Sequence, residues 1–291
     1  MTDSAYFSIE NTVKEMPPRD EIIKLYDTIG DITNDSFPEF MNKTFNTGLD
    51  NGGIIKAGRE IVGSTGLFIK KKKYAILVYD KEGVRYDKDG KPGKLKAMGL
   101  DLKRSDTPKI MQNFLEEILI DLLTGSTKED IFVKIRKFRV DFHEIEPWKK
   151  GTPKKVNSLT EYSKSLSFDE SLIFDVKRKT AEKKIAVPGH VRAALNWNTM
   201  RDLYKDKYSM EITDGTRIVV CKLKKNDMKM TSIAYPVDEF NLPAWFKELP
   251  FDDDEMEHTI IDMKLDNLLG VLDWDMRDSK VDTTFSDLFD F

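Results

Sequence analysis

Apolar and polar positions alternate in short runs over the first hundred residues, then switch to the three- and four-residue spacing of helices near Thr107. Residues 4–9 alternate as a strand would, and Pro17-Pro18-Arg19-Asp20 introduces a helical stretch with apolar positions at Ile22, Ile23, Leu25, Tyr26 and Ile29. A loop rich in Gly and Asn follows around residues 47–53. Gly66 to Tyr79 reads as one long strand, Asp80 to Gly83 as a turn, and Val84 to Tyr86 as the return strand. Another turn over Asp87 to Gly93 precedes a strand reaching about Leu102. At Thr107-Pro108 a helix begins: Asp106 or Thr107 is suited to cap it, Pro108 to its first position, and Ile110, Phe114, Leu115, Ile118, Leu119 and Leu122 form its apolar stripe. Further helices are expected from Thr127 to about Glu144, from His190 to about Tyr204 and from Glu255 to Leu272. Short strands are expected at Arg217–Leu223 and Ser232–Tyr235. No internal repeat is present.

A chain of 291 residues has room for one large or two modest domains. No apolar run approaches the roughly 20 residues that span a bilayer, and no basic-then-apolar leader is seen, so no membrane association is expected. One cysteine, Cys221, excludes an internal disulfide, and three histidines, His143, His190 and His258, are too few beside it for a Cys/His zinc site. Any metal must therefore be held by carboxylates, which suits magnesium or manganese. The net charge of -4 is unevenly spread: residues 251–291 carry thirteen acids against three bases, a net of -10, which leaves +6 on the first 250 residues. Basic clusters at Lys70 to Lys73, Lys91 to Lys109 and Lys177 to Lys184 suggest a phosphate-facing body with a separate acidic tail.

Several strings carry potential chemistry. Thr2-Asp3-Ser4-Ala5-Tyr6-Phe7 places a carboxylate where a hairpin turn would lie, although a terminal Asp taken alone is a solvated residue. Lys71-Lys72-Lys73-Tyr74 falls within the predicted strand, where alternate side chains face opposite ways; taken alone it reads first as a solvated sheet face. Met98-Gly99-Leu100-Asp101-Leu102-Lys103-Arg104-Ser105-Asp106-Thr107-Pro108 brings basic residues to a helix N-terminus, whose dipole and free amides attract phosphate. Pro188-Gly189-His190-Val191-Arg192 opens a second helix. Thr283-Thr284-Phe285-Ser286-Asp287-Leu288-Phe289-Asp290-Phe291 sets aromatics in an acidic tail that suits a groove on another protein.

The order and spacing of these strings resemble the C-terminal part of a family B replicative DNA polymerase of tailed bacteriophages. The likeness is strong at 1–10, 59–124 and 283–291 and weak elsewhere. It implies an α+β fold: the C-terminal part of a palm, an antiparallel sheet with helices, over 1–102, then a mainly helical thumb over 103–282 and a sliding-clamp-binding tail over 283–291. The family's hairpin reads Asp-Thr-Asp-Ser; its second Asp, a metal ligand, matches Asp3, and Met1 stands in place of the first. Phosphoryl transfer is mostly charge stabilisation by two divalent ions. The resemblance accordingly implies two Mg²⁺ (Mn²⁺ as an alternative) shared with another chain, with Asp3 as ligand and catalytic residue, and Glu60, in Arg59-Glu60-Ile61-Val62, as a second catalytic candidate. Lys71, Lys72, Lys73 and Tyr74 would grip primer-template DNA, although the family usually has Arg at Lys73. Lys103, Arg104, His190 and Arg192 would hold the duplex backbone. Leu288, Phe289 and Phe291 would anchor the tail on a sliding clamp.

No segment resembles the fingers, the nucleotide-binding helix, the other metal-binding palm strand or the exonuclease. The expectation is therefore a split enzyme. This chain would be the C-terminal subunit, inactive without an N-terminal polymerase chain that supplies those parts and binds dNTP, in the cytoplasm of an infected bacterial host. Strand 4–9 would pair with a strand of that partner. An accessory protein that binds DNA and tethers the clamp without catalysis is the alternative, and an adaptor using only its tail is a third.

Overall fold

The computed structural model describes residues 5–280 apart from 165, 168–176 and 179–186. It is a mixed α+β chain with antiparallel pairing, and its described residues group into two compact units. The first runs up to Gly66 and includes Ile76–Lys96; the second comprises Leu67–Ala75 and everything from Ala97 onward.

In the first unit, residues 5–9 form no strand. The Ile9 carbonyl instead accepts the Thr12 and Val13 amides in a turn, and the Ile9 side chain is buried with Ile22, Val62 and Tyr79. Within 5–9 the buried side chain is that of Ile9, and residues 5–8 are exposed. Helix α1 (Arg19–Phe45) starts after the expected diproline but runs much further, carrying Pro38 within it. Only Ile22 of its 27 residues is buried. The expected loop contains a short α2 (Leu49–Gly52).

The predicted long strand proves to be a hairpin, β1 (Ile61–Lys70) and β2 (Lys73–Lys81). Strand β2 is buried continuously from Ala75 to Asp80, as a strand covered on both faces must be. It pairs with β1, with β3 (Val84–Arg85) in the register Asp80↔Arg85, and with β4 (Lys94–Met98). Buried Asp80 is satisfied by Arg59, which also binds Asp27, and by the Gly83 amide.

In the second unit, a 3₁₀ turn (Asp101–Lys103) leads to α3 (Lys109–Leu123), which packs against α4 (Lys128–Glu144) with Phe114 stacked on Phe138; Leu115, Ile118, Leu119, Ile131 and Ile135 are buried on the two helices. Thr127 and Asp130 form a capping box at the start of α4. A strand that the pattern did not predict, β5 (Thr152–Lys155), is followed by α5 (Leu159–Lys164) and a small pair, β6 (Leu166–Ser167) with β7 (Lys177–Arg178). Helix α6 (Gly189–Leu203) lies on a three-stranded antiparallel sheet, β5-β8-β9, formed with β8 (Arg217–Lys222) and β9 (Ser232–Pro236). Val191, Ala194, Trp197 and Met200 are buried on α6, and Trp197 packs with Trp245 and Phe246 around the short α7 (Ala244–Lys247).

The acidic C-terminal stretch is not a separate tail over residues 251–280. It forms α8 (Asp253–Glu257), a π turn (His258–Asp262) and α9 (Met263–Leu269), and buries Met256, Ile260, Ile261, Leu265 and Leu268. Five of its ten acids pair with bases as follows: Asp253 with buried Lys150, Glu255 with Lys222, Glu257 with Arg139 and His143, Asp262 with Arg139 and Lys280, and Asp278 with Lys128. The negative charge neutralises basic residues of the unit's own interior and surface. Cys221 is buried, and desolvation pushes its thiol up, so it stays an unreactive thiol.

Candidate nucleic-acid interface

Lys71 and Lys72 form the two-residue turn of the β1–β2 hairpin, with Lys72 in the left-handed region at φ 65°. They project from a tip instead of alternating across a strand, so the expectation that only some of this charge faces one way does not apply. Both are exposed, whereas Lys73 is half-buried beside a small cavity that it shares with Asp101, Lys264 and Asn267. Tyr74 stacks on Phe68 with ring centroids 5.7 Å apart. Gly99 fits against this tip: at φ +64°, a Cβ here would stand 2.2 Å from the Lys72 carbonyl oxygen and 3.3 Å from the Lys73 side chain. The glycine lets the chain leaving β4 pass directly beneath the lysine turn.

Beyond it, Asp101 accepts hydrogen bonds from Lys264 (3.4 Å) and Asn267 (3.3 Å) and lies 3.5 Å from Arg104. Asp106 binds Arg104 in two-pronged fashion, with both contacts at 2.9 Å, and accepts a third from Lys154 at 2.9 Å. Burial opposes ionisation of Asp106, but the Arg104 hydrogen bonds outweigh it and, with Lys154, hold the carboxyl far below its usual range. The expected cap is not made. Pro108 occupies the N-cap position of α3 with no side-chain hydrogen bond, Asp106 is engaged by cations, and the Thr107 hydroxyl is buried without a partner among the described residues.

Helix α6 likewise starts after a proline, Pro188, with no side-chain cap. Its first turn and that of α3 open on one cleft of 320 Å³, whose walls carry Asp106, Lys154, His190, Lys222, Lys264 and Asn267. The π turn matters here, because Thr259 and Ile260 within it and Met263, Lys264 and Asn267 after it face this cleft. His190 is half-buried; desolvation, and secondly the nearby Lys154, lower its pKa and favour the neutral ring. Uncapped N-termini and lysines make the cleft attractive to anions. Each lysine is already paired with an acid, Lys154 with Asp106, Lys222 with Glu255 and Lys264 with Asp101. The lysine charge of the cleft is therefore matched by neighbouring acids.

Of the other residues singled out by sequence, Lys103 is exposed at the end of the 3₁₀ turn, and the Nε of half-buried Arg192 is buried without a partner among the described residues. Glu60 is half-exposed and pairs with Lys96 at 2.8 Å, whose hydrogen bond lowers the glutamate's pKa. Asp3 and the tail residues Leu288, Phe289 and Phe291 lie outside the described residues. Among the described residues, no group of three His, Cys, Asp or Glu is placed to hold a metal, and no helix is long and apolar enough to cross a membrane.

The pattern missed Lys154, Lys222, Lys264 and Asp101. Lys154 lies on the unpredicted β5, and Lys264 sits in a stretch whose composition is strongly acidic. The periodicity of 255–272 would have put Lys264 on the polar side of a helix without saying what it faces.

No family model matches the chain. It is similar to the DNA-directed DNA polymerase of Escherichia phage RB69, at 43% identity over 61 residues, 21% of this chain and 6% of that one. It is also similar to the DNA-directed DNA polymerase of Enterobacteria phage T4, at 27% identity over 175 residues, 60% of this chain and 17% of that one. The chain thus spans less than a fifth of the curated relatives it matches.

Proposed function

We propose that this chain is the C-terminal part of a family B DNA-directed DNA polymerase: the remainder of the palm, followed by a thumb that holds primer-template duplex. The observation that carries the reading is the basic path from the Lys71–Tyr74 turn, past Arg104, into the cleft shared by the first turns of α3 and α6. Five separate sequence segments supply its cations, and the partial similarity to two phage DNA polymerases supports the same reading. Lys71 to Tyr74 lie beside the newest base pairs, while Lys103, Arg104, Lys154, His190 and Arg192 contact the duplex backbone. The fingers, exonuclease, dNTP site and opposite palm strand are supplied from outside these residues; in the two-chain arrangement they belong to an N-terminal partner.

In that assembly Asp3 and an aspartate of the remaining palm hold two Mg²⁺ that stabilise charge on the transferring phosphates, with Glu60 nearby. The segment ending in Leu288, Phe289 and Phe291 ties the enzyme to a sliding clamp. Anisotropy titration of the chain with fluorescent primer-template duplex is expected to give binding that weakens steeply with salt; a salt-insensitive or absent signal overturns the duplex-holding role. In the assembled enzyme, Asp3→Ala is expected to abolish incorporation while leaving duplex affinity intact. Unchanged incorporation would favour the accessory, non-catalytic role. Co-expression with the N-terminal chain should yield one complex on size exclusion.

A further inference from the structure

Cations meant for phosphate are costly to order, because lysine and arginine side chains lose rotamer freedom when a ligand immobilises them; each such side chain forfeits roughly a factor of two to ten in affinity. The cleft contains a device that removes part of this cost. Asp106 sits at the cleft wall and binds two cations from different elements at once: Arg104 from the loop before α3 through both Nε and Nη2, and Lys154 from β5. Its own position is fixed, since the Gln112 side chain donates to the Arg104 and Thr107 carbonyls (2.8 and 3.0 Å) and so pins the loop on either side. Asp101 repeats the arrangement one turn away with Lys264 and Asn267.

The Arg104 fork engages Asp106 along one edge only, so its Nη1 donors remain available to a phosphate oxygen, as do the further N–H groups of Lys154. We infer that Asp106 is a positioning residue for anion recognition: an acid built into a basic cleft to preset Arg104 and Lys154 for a nucleic-acid phosphate. This inference rests on the duplex-holding reading above and adds to it a residue whose charge has the wrong sign for direct contact.

The sign makes the proposal testable. By charge alone, Asp106→Asn adds one positive unit to the cleft and should tighten duplex binding. If Asp106 acts by positioning, the same change should weaken binding, by about fivefold or more, without a steeper salt dependence. The experiment is anisotropy titration of the full chain with primer-template duplex at several salt concentrations. It compares the unaltered protein, Asp106→Asn, the pair Arg104→Gln/Lys154→Gln, and the three changes combined, with thermal melts of each.

The expected result is that Asp106→Asn weakens binding in the unaltered background and has no further effect once Arg104 and Lys154 are replaced. Equal or tighter binding by Asp106→Asn overturns the inference while leaving the duplex-holding reading standing. So does a loss of equal size in both backgrounds, which marks a folding defect. Failure of the unaltered chain to bind duplex overturns the underlying reading itself.

Discussion

Gly99 carries two demands that no other residue meets: a left-handed backbone at φ +64° and contact with the Lys72 carbonyl closer than any Cβ tolerates. Gly99→Ala must either shift the lysine turn or strain the chain between β4 and the 3₁₀ turn, and is expected to cost about 2 kcal/mol or more. Denaturant melts read the cost, and weaker duplex binding by the same variant would show that the turn has moved. Asp206 offers a residue-scale prediction of another kind. Burial pushes its carboxyl up, but donations from the Ser209 hydroxyl and amide, the Trp245 indole and the Tyr208 amide outweigh burial and hold its pKa at about 2. A depressed native pKa gives stability that is complete above the ordinary carboxyl value of 3.8 and is lost as pH falls toward about 2. Asp206→Asn should therefore lower stability at neutral pH and flatten the acid limb between pH 4 and 2 in pH-dependent urea melts.

At the scale of elements, α3, α4 and α6 were legible because each runs 15 residues or more, whereas the short α5 and α7 were not, and the boundaries of α4, α6, β8 and β9 fall within a residue or two of those expected. The basic hairpin was not, because Lys70 to Lys73 interrupts two apolar strands with charge and lacks the Gly or Asn that advertises a tight turn. The break within the last helix was equally hidden, since a π turn leaves no mark on apolar spacing beyond one displaced residue. Its support comes from α4. Arg139, 3% exposed, donates to Glu257 and to Asp262, at the two ends of that turn, and reaches Ser279. Arg139→Ala removes the one buried cation shared by both acids, leaving Glu257 to His143 and Asp262 to His258 and Lys280, and is expected to cost roughly 3 kcal/mol. A denaturant melt measures the total. Hydrogen exchange should find protection lost first over residues 257–269.

For the molecule as a whole, composition pointed to a basic body and an acidic tail, and the structure redistributes those charges. Residues 251–280 fold back, and five of their ten acids, Asp253, Glu255, Glu257, Asp262 and Asp278, pair with Lys150, Lys222, Arg139 and Lys128 from earlier in the chain. Sequence strings identified Arg104 and His190, which the fold gathers at the α3–α6 cleft region, but not the lysines that complete it, because those come from β5, β8 and α9 and converge only in three dimensions. That convergence sets a last quantitative test. Each lysine that meets a duplex phosphate releases about 0.9 counterions, which appears directly in the slope of log affinity against log salt. Replacing Lys154, Lys222 and Lys264 together by Gln should make that slope shallower by about 2 to 3, whereas replacing Lys224, Lys225 and Lys229, which lie on the β8–β9 connection away from the cleft, should leave it nearly unchanged. A cleft variant whose slope equals that of the unaltered chain would move the duplex to another surface, and would do so without appeal to any change in stability, because the slope counts contacts and not their strength.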